Sequence, residues 1–203
     1  MDIERINSYT DPRFPQEILN QHGAFIIDGK YPCAFRITDE TSAEIAFHDY
    51  SQIAPLIENF RFYAEHITTF RDKSGNIIAE FPKIDIFSLS IDLIQPSQFY
   101  ADEDKVNAVS GFIRSGTDIV IPVMKSEERY ISLDGHTRLY YAHSQGWKTV
   151  RAFEAEVNGY VLEFVEEAKK RGVISVEKME LLPHSEYEIK WNKFCDDFFA
   201  SKK

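Results

Sequence analysis

The spacing of hydrophobic and polar residues divides the chain into three parts, residues 1–83, 84–156 and 157–203. In the first part, short apolar runs beside turn residues such as Asp-Gly and Ser-Gly-Asn indicate strands. One stretch instead repeats apolar residues at intervals of three and four, as an amphipathic helix does. The predicted strands are 24–27, 33–37, 43–47, 67–71 and 77–81, and the predicted helix is 51–65. We therefore expect residues 1–83 to form a mixed α/β unit.

In residues 84–156 strand-like and helix-like patterns alternate along the chain. The predicted order is strand 84–91, helix 104–114, strands 119–124 and 130–133, helix 135–145 and strand 149–155. Alternation of this kind is typical of a sheet covered by helices. The sequence thus predicts an α/β (α+β) fold in which this domain follows the N-terminal mixed unit.

The last part, residues 157–203, is predicted to be a helical extension because it carries two apolar stripes at helical spacing. Ser185 followed by Glu188 has the spacing of a capping box, which predicts the start of the last helix. We expect Cys195 to be a packing residue with a raised thiol pKa rather than a redox centre. The stripes are Val161, Phe164, Val165 and Ala168 in one helix, and Tyr187, Trp191, Phe194, Cys195 and Phe198 in the other.

Composition and charge narrow the classes of protein that fit. With 203 residues, 43% of them hydrophobic, the chain is long and apolar enough to bury a substantial core. Cys33 and Cys195 are too few and too far apart for a zinc ribbon or a disulfide framework. A net charge of −10 disfavours nucleic acid as a partner, because neutralising phosphates requires a basic surface. The absence of a long apolar run predicts a cytoplasmic protein without a membrane span.

The segment 134–138, with the sequence DGHTR, combines residue types that suit an anion. It follows an apolar strand and opens a predicted helix, whose first N–H groups and dipole attract negative charge. Asp134 can cap free N–H groups, and Gly135 lets a ligand approach the backbone, while His136, Thr137 and Arg138 add hydrogen-bond donors. The alternative is an ordinary helix start with an Asp cap and surface side chains.

Residues 84–153 resemble the fold shared by ParB N-terminal domains, sulfiredoxins and the free-serine kinases related to them. The segment 94–98, IQPSQ, is similar to the proline-containing segment of that family, and DGHTR is most similar to the DGHHR-type turn of the kinases. The resemblance implies that Gly135, His136 and Thr137 lie against phosphate and that Arg138 neutralises it. It also implies that Asp134 is polar or metal-facing, and we expect Asp134 and His136 to be the catalytic residues.

The chain departs from each branch of this family. Sulfiredoxins need a cysteine where His136 stands, so sulfinic acid reduction is excluded. ParB partition proteins continue into a helix-turn-helix unit, and residues 157–203 contain no basic recognition helix. The kinases use an acidic general base near the positions of Ser97 and Gln98, neither of which is a carboxylate.

Three acidic residues follow that position and offer two interpretations. Asp102, Glu103 and Asp104 could substitute for the missing base, or they could cap and solvate the start of a helix. We expect Gln98, Asp102 and Tyr140 to border the candidate site.

The leading hypothesis is a protein that binds a nucleotide (ATP, ADP or CTP) or another phosphorylated small molecule at DGHTR, with Mg²⁺ as companion, for phosphoryl transfer or hydrolysis. The alternative is a non-catalytic, nucleotide-responsive or protein-interaction module that uses the same turn. A nuclease fits least, because the chain is acidic and lacks a metal-carboxylate motif. The sequence leaves the oligomeric state and the role of residues 1–83 open.

Overall fold

The computed structural model describes residues 1–157 and 159–202. The chain is a mixed α/β protein and divides into two compact units, Met1–Ile84 and Asp85–Lys203. This confirms the predicted α+β class, whereas the likeness to ParB and sulfiredoxin domains stays a prediction. Residues 159–202, which make up most of the third part of the sequence, belong to the second unit. Within the described residues, no helix combines the length and apolar character needed to cross a lipid bilayer.

The first unit is a six-stranded sheet in which the strands follow one another in chain order. All neighbours are antiparallel except β4 and β5, which are parallel because the helix between them carries the chain back across the sheet. The elements are β1 (Ile3–Arg5), α1 (Gln16–Asn20), β2 (Ala24–Ile27), β3 (Tyr31–Ile37), β4 (Ser42–Ala46), α2 (Ile53–Arg61), β5 (Thr69–Arg71) and β6 (Ile77–Glu80).

Phenylalanines form the centre of this unit. Phe35 of β3 is fully buried and stacks on Phe60 of α2 with 4.1 Å between ring centroids. Phe25 and Phe70 meet these rings edge-on, an arrangement that aromatic quadrupoles favour. The core therefore fixes α2 on one face of the sheet.

The helix predicted at 51–65 is shorter in the structure and spans Ile53–Arg61. Asp49 caps a single 3₁₀ turn before it, accepting the Ser51 N–H at 2.8 Å. The apolar stripe ends at Phe60, and the next residue but one, Phe62, is 80% exposed. Beyond that point the chain buries Ala64 and Ile67 in a connection rather than on a helix face.

The second unit is built on a five-stranded mixed sheet of order β7-β12-β10-β11-β8, with a separate parallel pair, β9 and β13. Its elements are β7 (Phe87–Ser90), β8 (Ile94–Pro96), β9 (Tyr100–Asp102), α3 (Glu103–Ser110), β10 (Val120–Ser126), β11 (Arg129–Ser132), α4 (His136–Ser144), β12 (Thr149–Glu154), α5 (Tyr160–Lys170), β13 (Glu180–Leu182), α6 (His184–Tyr187), a π-helix (Glu188–Asn192) and α7 (Lys193–Ala200).

The sequence predictions for this unit are wrong in several places, including the C-terminal part predicted to be helical, which contains the strand β13. The strand predicted at 84–91 is shorter in the structure, where only β7 forms in this range, and the strands β8 and β9 were not predicted. Each of these has three residues, too few to show an alternation, and each is held by a distant partner, β11 or β13. The predicted capping box is also absent, because Ser185 lies inside α6. That helix begins after Pro183, which has an extended backbone and provides no side-chain hydrogen bond to cap the helix.

Replacing Phe35 with alanine should lower the free energy of unfolding by about 3 to 5 kcal/mol, because a buried ring and its stacking partner are lost. The matched control is Phe62→Ala, which removes an exposed ring and should cost no more than about 0.5 kcal/mol. Urea unfolding followed by far-UV circular dichroism measures both. Equal destabilisation by the two variants would show that the stacked pair is not the centre of this core.

Candidate functional site

The turn between β11 and α4 is shaped by Gly135. This residue has φ +81°, a left-handed conformation, and immediately precedes α4, whose first helical hydrogen bond joins the Leu139 N–H to the Gly135 carbonyl at 2.9 Å. A Cβ atom here would lie 2.6 Å from Cγ2 of Ile121. Glycine is therefore required both by the backbone angle and by contact with the neighbouring strand. The space left by its missing Cβ is filled by Ile121 and Arg138, not kept free for a ligand as the sequence led us to expect.

No side chain caps α4, so the prediction that Asp134 is its N-cap is wrong. The cap position falls on Gly135, one residue later, because the left-handed turn is completed there. Asp134 is instead exposed at the mouth of the turn. Among the described residues no side chain accepts from the first N–H groups of α4, and the positive end of the dipole of this nine-residue helix lies at the buried residues Gly135 and His136.

Arg138 and Thr137 are half-buried in the first turn of α4. Arg138 folds back onto the sheet, where Nη1 donates to the Val120 carbonyl at 3.3 Å. Its Nη2 is 3.3 Å from the point where a Gly135 Cβ would stand. The guanidinium therefore lies directly beside the turn, and its charge adds to that of the helix end.

His136 is buried, with 6% of its surface exposed. Its Nε2 accepts the backbone N–H of Ser97 at 3.2 Å and lies 3.0 Å from Oγ of Ser132. Because Nε2 is an acceptor, the ring proton of the neutral imidazole is on Nδ1. Burial lowers the pKa of His136 to about 4, against a raising effect from Asp134 and a further lowering effect from Arg138. The ring is therefore neutral at physiological pH.

Ser97 was not recognised from the sequence as part of this network. Its hydroxyl donates to the Ser132 carbonyl at 2.8 Å and lies 3.1 Å from Nε2 of His136. Together these contacts tie the chain after β8 to the end of β11 and to the first residue of α4. A single serine between a proline and a glutamine carries no sequence signal of such a role.

The residues predicted to border the site have different surroundings. Gln98 donates to the Tyr100 carbonyl at 2.6 Å and to the Tyr187 hydroxyl at 3.0 Å. Tyr140 is half-buried against the core of the second unit. These two side chains therefore hold neighbouring parts of the fold together.

Asp102 is completely buried and caps α3 by accepting the Asp104 N–H at 3.0 Å. This confirms the capping part of the interpretation of the acidic cluster, whereas the expected solvation is wrong for Asp102. Its second oxygen accepts from Nδ1 of His184 at 2.8 Å, a contact that the sequence did not reveal. The hydrogen bond to Asp102 raises the pKa of His184, with a smaller contribution from Glu188. Asp102 is thus committed to structural contacts on both oxygens.

The described residues contain no cluster of three or more His, Cys, Asp or Glu side chains that could hold a metal ion by themselves. Mg²⁺ is usually held by one or two carboxylates together with substrate phosphates. Asp134, which is exposed just before the start of α4, fits that donor set only in the presence of a phosphate ligand.

Comparisons with known proteins give little further information. No model of a known family matches the chain, and no curated protein matches its sequence. Among solved structures, the protein Atu1540 from Agrobacterium tumefaciens is similar, with 15% identity and a TM-score of 0.34. The match covers 47% of this chain and 61% of that one. A similarity at this level supports no statement about activity.

The buried imidazole predicts a specific acid sensitivity. Since the folded pKa of His136 lies near 4, below the value of about 6.5 for an unfolded histidine, the unfolded chain binds the proton more tightly. The contribution of neutral His136 to the free energy of unfolding is therefore complete above pH 6.5. It falls by about 3 kcal/mol as the pH drops from 6.5 to 4.

Urea unfolding at several pH values, followed by fluorescence of Trp147 and Trp191, which both lie in the second unit, measures this loss. His136→Gln keeps an acceptor but cannot titrate, so its stability should depend less on pH across that window. The same slope in both proteins would contradict the assignment.

Proposed function

We propose that the chain binds a phosphate-bearing small molecule, either a nucleotide such as ATP, ADP or CTP or a phosphorylated metabolite, at residues 134–138. The main support is the N-terminus of α4, which no side chain caps, which follows a left-handed glycine and which has Arg138 beside it. The hydroxyl of Thr137 is the next donor along the same turn. The likeness of DGHTR to the phosphate-contacting turn of free-serine kinases agrees with this assignment.

Magnitudes indicate which groups matter most. A helix dipole contributes about 0.3 to 1 kcal/mol for an exposed anion, whereas a hydrogen bond to a charged group contributes about 1.5 to 3 kcal/mol. Arg138 and the backbone N–H groups should therefore supply most of the binding free energy. Because the whole chain carries a charge of −10, an anion would be held by these local donors rather than attracted by the overall field.

Binding can be tested by thermal shift of the full chain with ATP, ADP, CTP and inorganic phosphate, each with and without Mg²⁺. A ligand at about 100 times its Kd should stabilise the folded state by roughly 2.7 kcal/mol. Arg138→Ala should weaken binding about 10- to 100-fold, as expected from the loss of a charged hydrogen bond.

Two controls accompany this variant. Arg114→Ala removes an exposed cation that lies beyond α3 and donates to the Ser110 carbonyl, and it should leave the shift unchanged. Thr137→Val keeps the shape of the side chain and removes its hydroxyl, so it should weaken binding less than Arg138→Ala. Each variant is compared with its own unliganded melting temperature. A phosphate compound that shifts wild type and Arg138→Ala equally would show that the ligand is bound elsewhere.

Phosphoryl transfer or hydrolysis is a second candidate, favoured by the exposed carboxylate of Asp134 at the mouth of the turn. Asp134 would hold Mg²⁺ together with the phosphates, and the metal would neutralise charge on the transferred group. His136 would act by positioning, because its neutral ring holds Ser97 in place and has no proton to donate from Nε2. A non-catalytic, nucleotide-responsive module would use the same turn without this chemistry.

Transfer is tested by ³¹P NMR of the nucleotide identified by thermal shift, incubated with Mg²⁺ and either free serine or water as acceptor. Asp134→Asn should bind the nucleotide with an affinity similar to wild type and lose at least about 100-fold in turnover, as expected for the loss of a metal-holding carboxylate. Clear binding without turnover in the wild-type protein would favour the non-catalytic module. Unchanged turnover in the variant would remove Asp134 from the mechanism.

A further inference from the structure

The C-terminal segment, defined as residues 184–200 and comprising α6, the π-helix and α7, packs on the second unit through side chains that are mostly only partly buried. Among its described side chains only Tyr187 is buried, and the π-helix and α7 contain no buried residue. Ile189 is 68% exposed. Its attachment therefore depends on partly buried aromatic side chains and on the polar contacts of its first turn.

The strongest polar contacts lie in the first turn of the segment. His184 donates from Nδ1 to Oδ2 of Asp102 at 2.8 Å, and the Asp102 side chain has no solvent exposure. Three residues later the Tyr187 hydroxyl accepts from Gln98 at 3.0 Å. Both partners lie in residues 98–102, so the beginning of the segment is fastened to β9 and the residues just before it.

Aromatic contacts hold the remainder of the segment. Trp191 and Phe194 meet Phe99 with ring centroids 4.9 and 5.0 Å apart. Phe198 meets Phe164 of α5 at 4.7 Å. These contacts carry no titratable group, so they keep α7 in place over a wide pH range. The first turn differs, because its main polar contact involves a histidine.

The charges around His184 favour its protonated form. Asp102 faces it from β9, Glu188 at the start of the π-helix lies 3.5 Å from Nε2, and Asp104 contributes from α3. The opposing charge is Lys105, whose ammonium is 3.9 Å from Asp102. A protonated ring joins two carboxylates, whereas a neutral ring leaves the buried Asp102 with a weaker partner.

We propose that the C-terminal segment is a latch, closed by the contact of protonated His184 with buried Asp102 and loosened at its first turns when His184 loses its proton. This pH-dependent conformational change does not require the proposed phosphate binding. It would act close to the candidate site, because Gln98, which holds Tyr187, directly follows Ser97, which His136 of the turn holds.

The direction of the effect follows from the pKa of His184, which is raised in the folded protein chiefly by the hydrogen bond to Asp102. Such a group stabilises the closed latch fully below the ordinary histidine pKa of about 6.5. That stabilisation is lost as the pH rises through the raised pKa. The latch should therefore be closed in mildly acidic solution and looser in mildly alkaline solution.

Hydrogen–deuterium exchange of the full chain, read by mass spectrometry and corrected for the intrinsic effect of pH, tests this proposal. Between pH 6.0 and 8.5 the opening of residues 184–192 should increase roughly threefold or more, which is local opening rather than global unfolding. Peptides from α5 serve as the internal control and should not change. His184→Gln should give an opening close to the wild-type value at pH 8.5, and independent of pH.

Glu188→Gln provides a matched variant, since it removes a charge beside His184 and leaves Asp102 in place, so a reduced pH effect should persist. NMR titration of the His184 ring in the wild-type protein provides a measurement that needs no variant, and its midpoint should coincide with the loosening. Equal exchange at the two pH values, an unchanged pH effect in His184→Gln, or midpoints that differ by more than about one unit would each overturn the latch. An absence of nucleotide binding in the thermal-shift assay would not contradict the latch.

Discussion

The candidate site depends on one buried imidazole. Nε2 of His136 accepts the N–H of Ser97 and lies within hydrogen-bond distance of the Ser132 hydroxyl, so one atom joins a strand end, a connecting segment and a helix start. The arrangement requires a neutral ring, and burial provides it by lowering the histidine pKa to about 4. A protonated His136 ring would have no acceptor nitrogen for the Ser97 N–H, and its charge would be buried away from water.

With the helix start fixed in this way, the chemistry of the turn follows from what surrounds Gly135. The left-handed glycine lets the chain enter α4 without a capping side chain, and close contact with Ile121 leaves no space for a Cβ atom. Arg138 lies over the same residue and binds the Val120 carbonyl. Positive charge and N–H groups without a side-chain cap are thereby collected at one point of an acidic chain, which is the physical reason for proposing a phosphate ligand.

The same part of the fold also holds the C-terminal segment. Ser97 and Gln98 are adjacent, yet one is bound to the turn and the other to Tyr187. Asp102, a few residues later, is buried between α3 and His184. Residues 97–102 are consequently shared by the candidate site and the latch, and the buried carboxylate serves structure rather than proton transfer to a substrate.

The sequence by itself determined the elements whose causes are local. Apolar spacing located α2, α4 and α5 and most strands of both units, and the run from strand to glycine to helix identified residues 134–138. Such patterns are readable because neighbouring residues share one face or one turn. The same local rules failed for the caps of α4 and α6, where the backbone of Gly135 and Pro183 decided the start.

Only the tertiary structure decided the partners of these elements. The contact of Ser97 with His136 joins residues 39 positions apart, and that of His184 with Asp102 joins residues 82 positions apart. The three-residue strands β8 and β9 exist through pairing with β11 and β13. Long-range contacts of this kind depend on which surfaces meet when the core forms, so a serine or histidine standing alone in the sequence gives no sign of them. The pKa of His136 is lowered by burial, and that of His184 is raised by its hydrogen bond to Asp102. Both environments arise only when the chain folds.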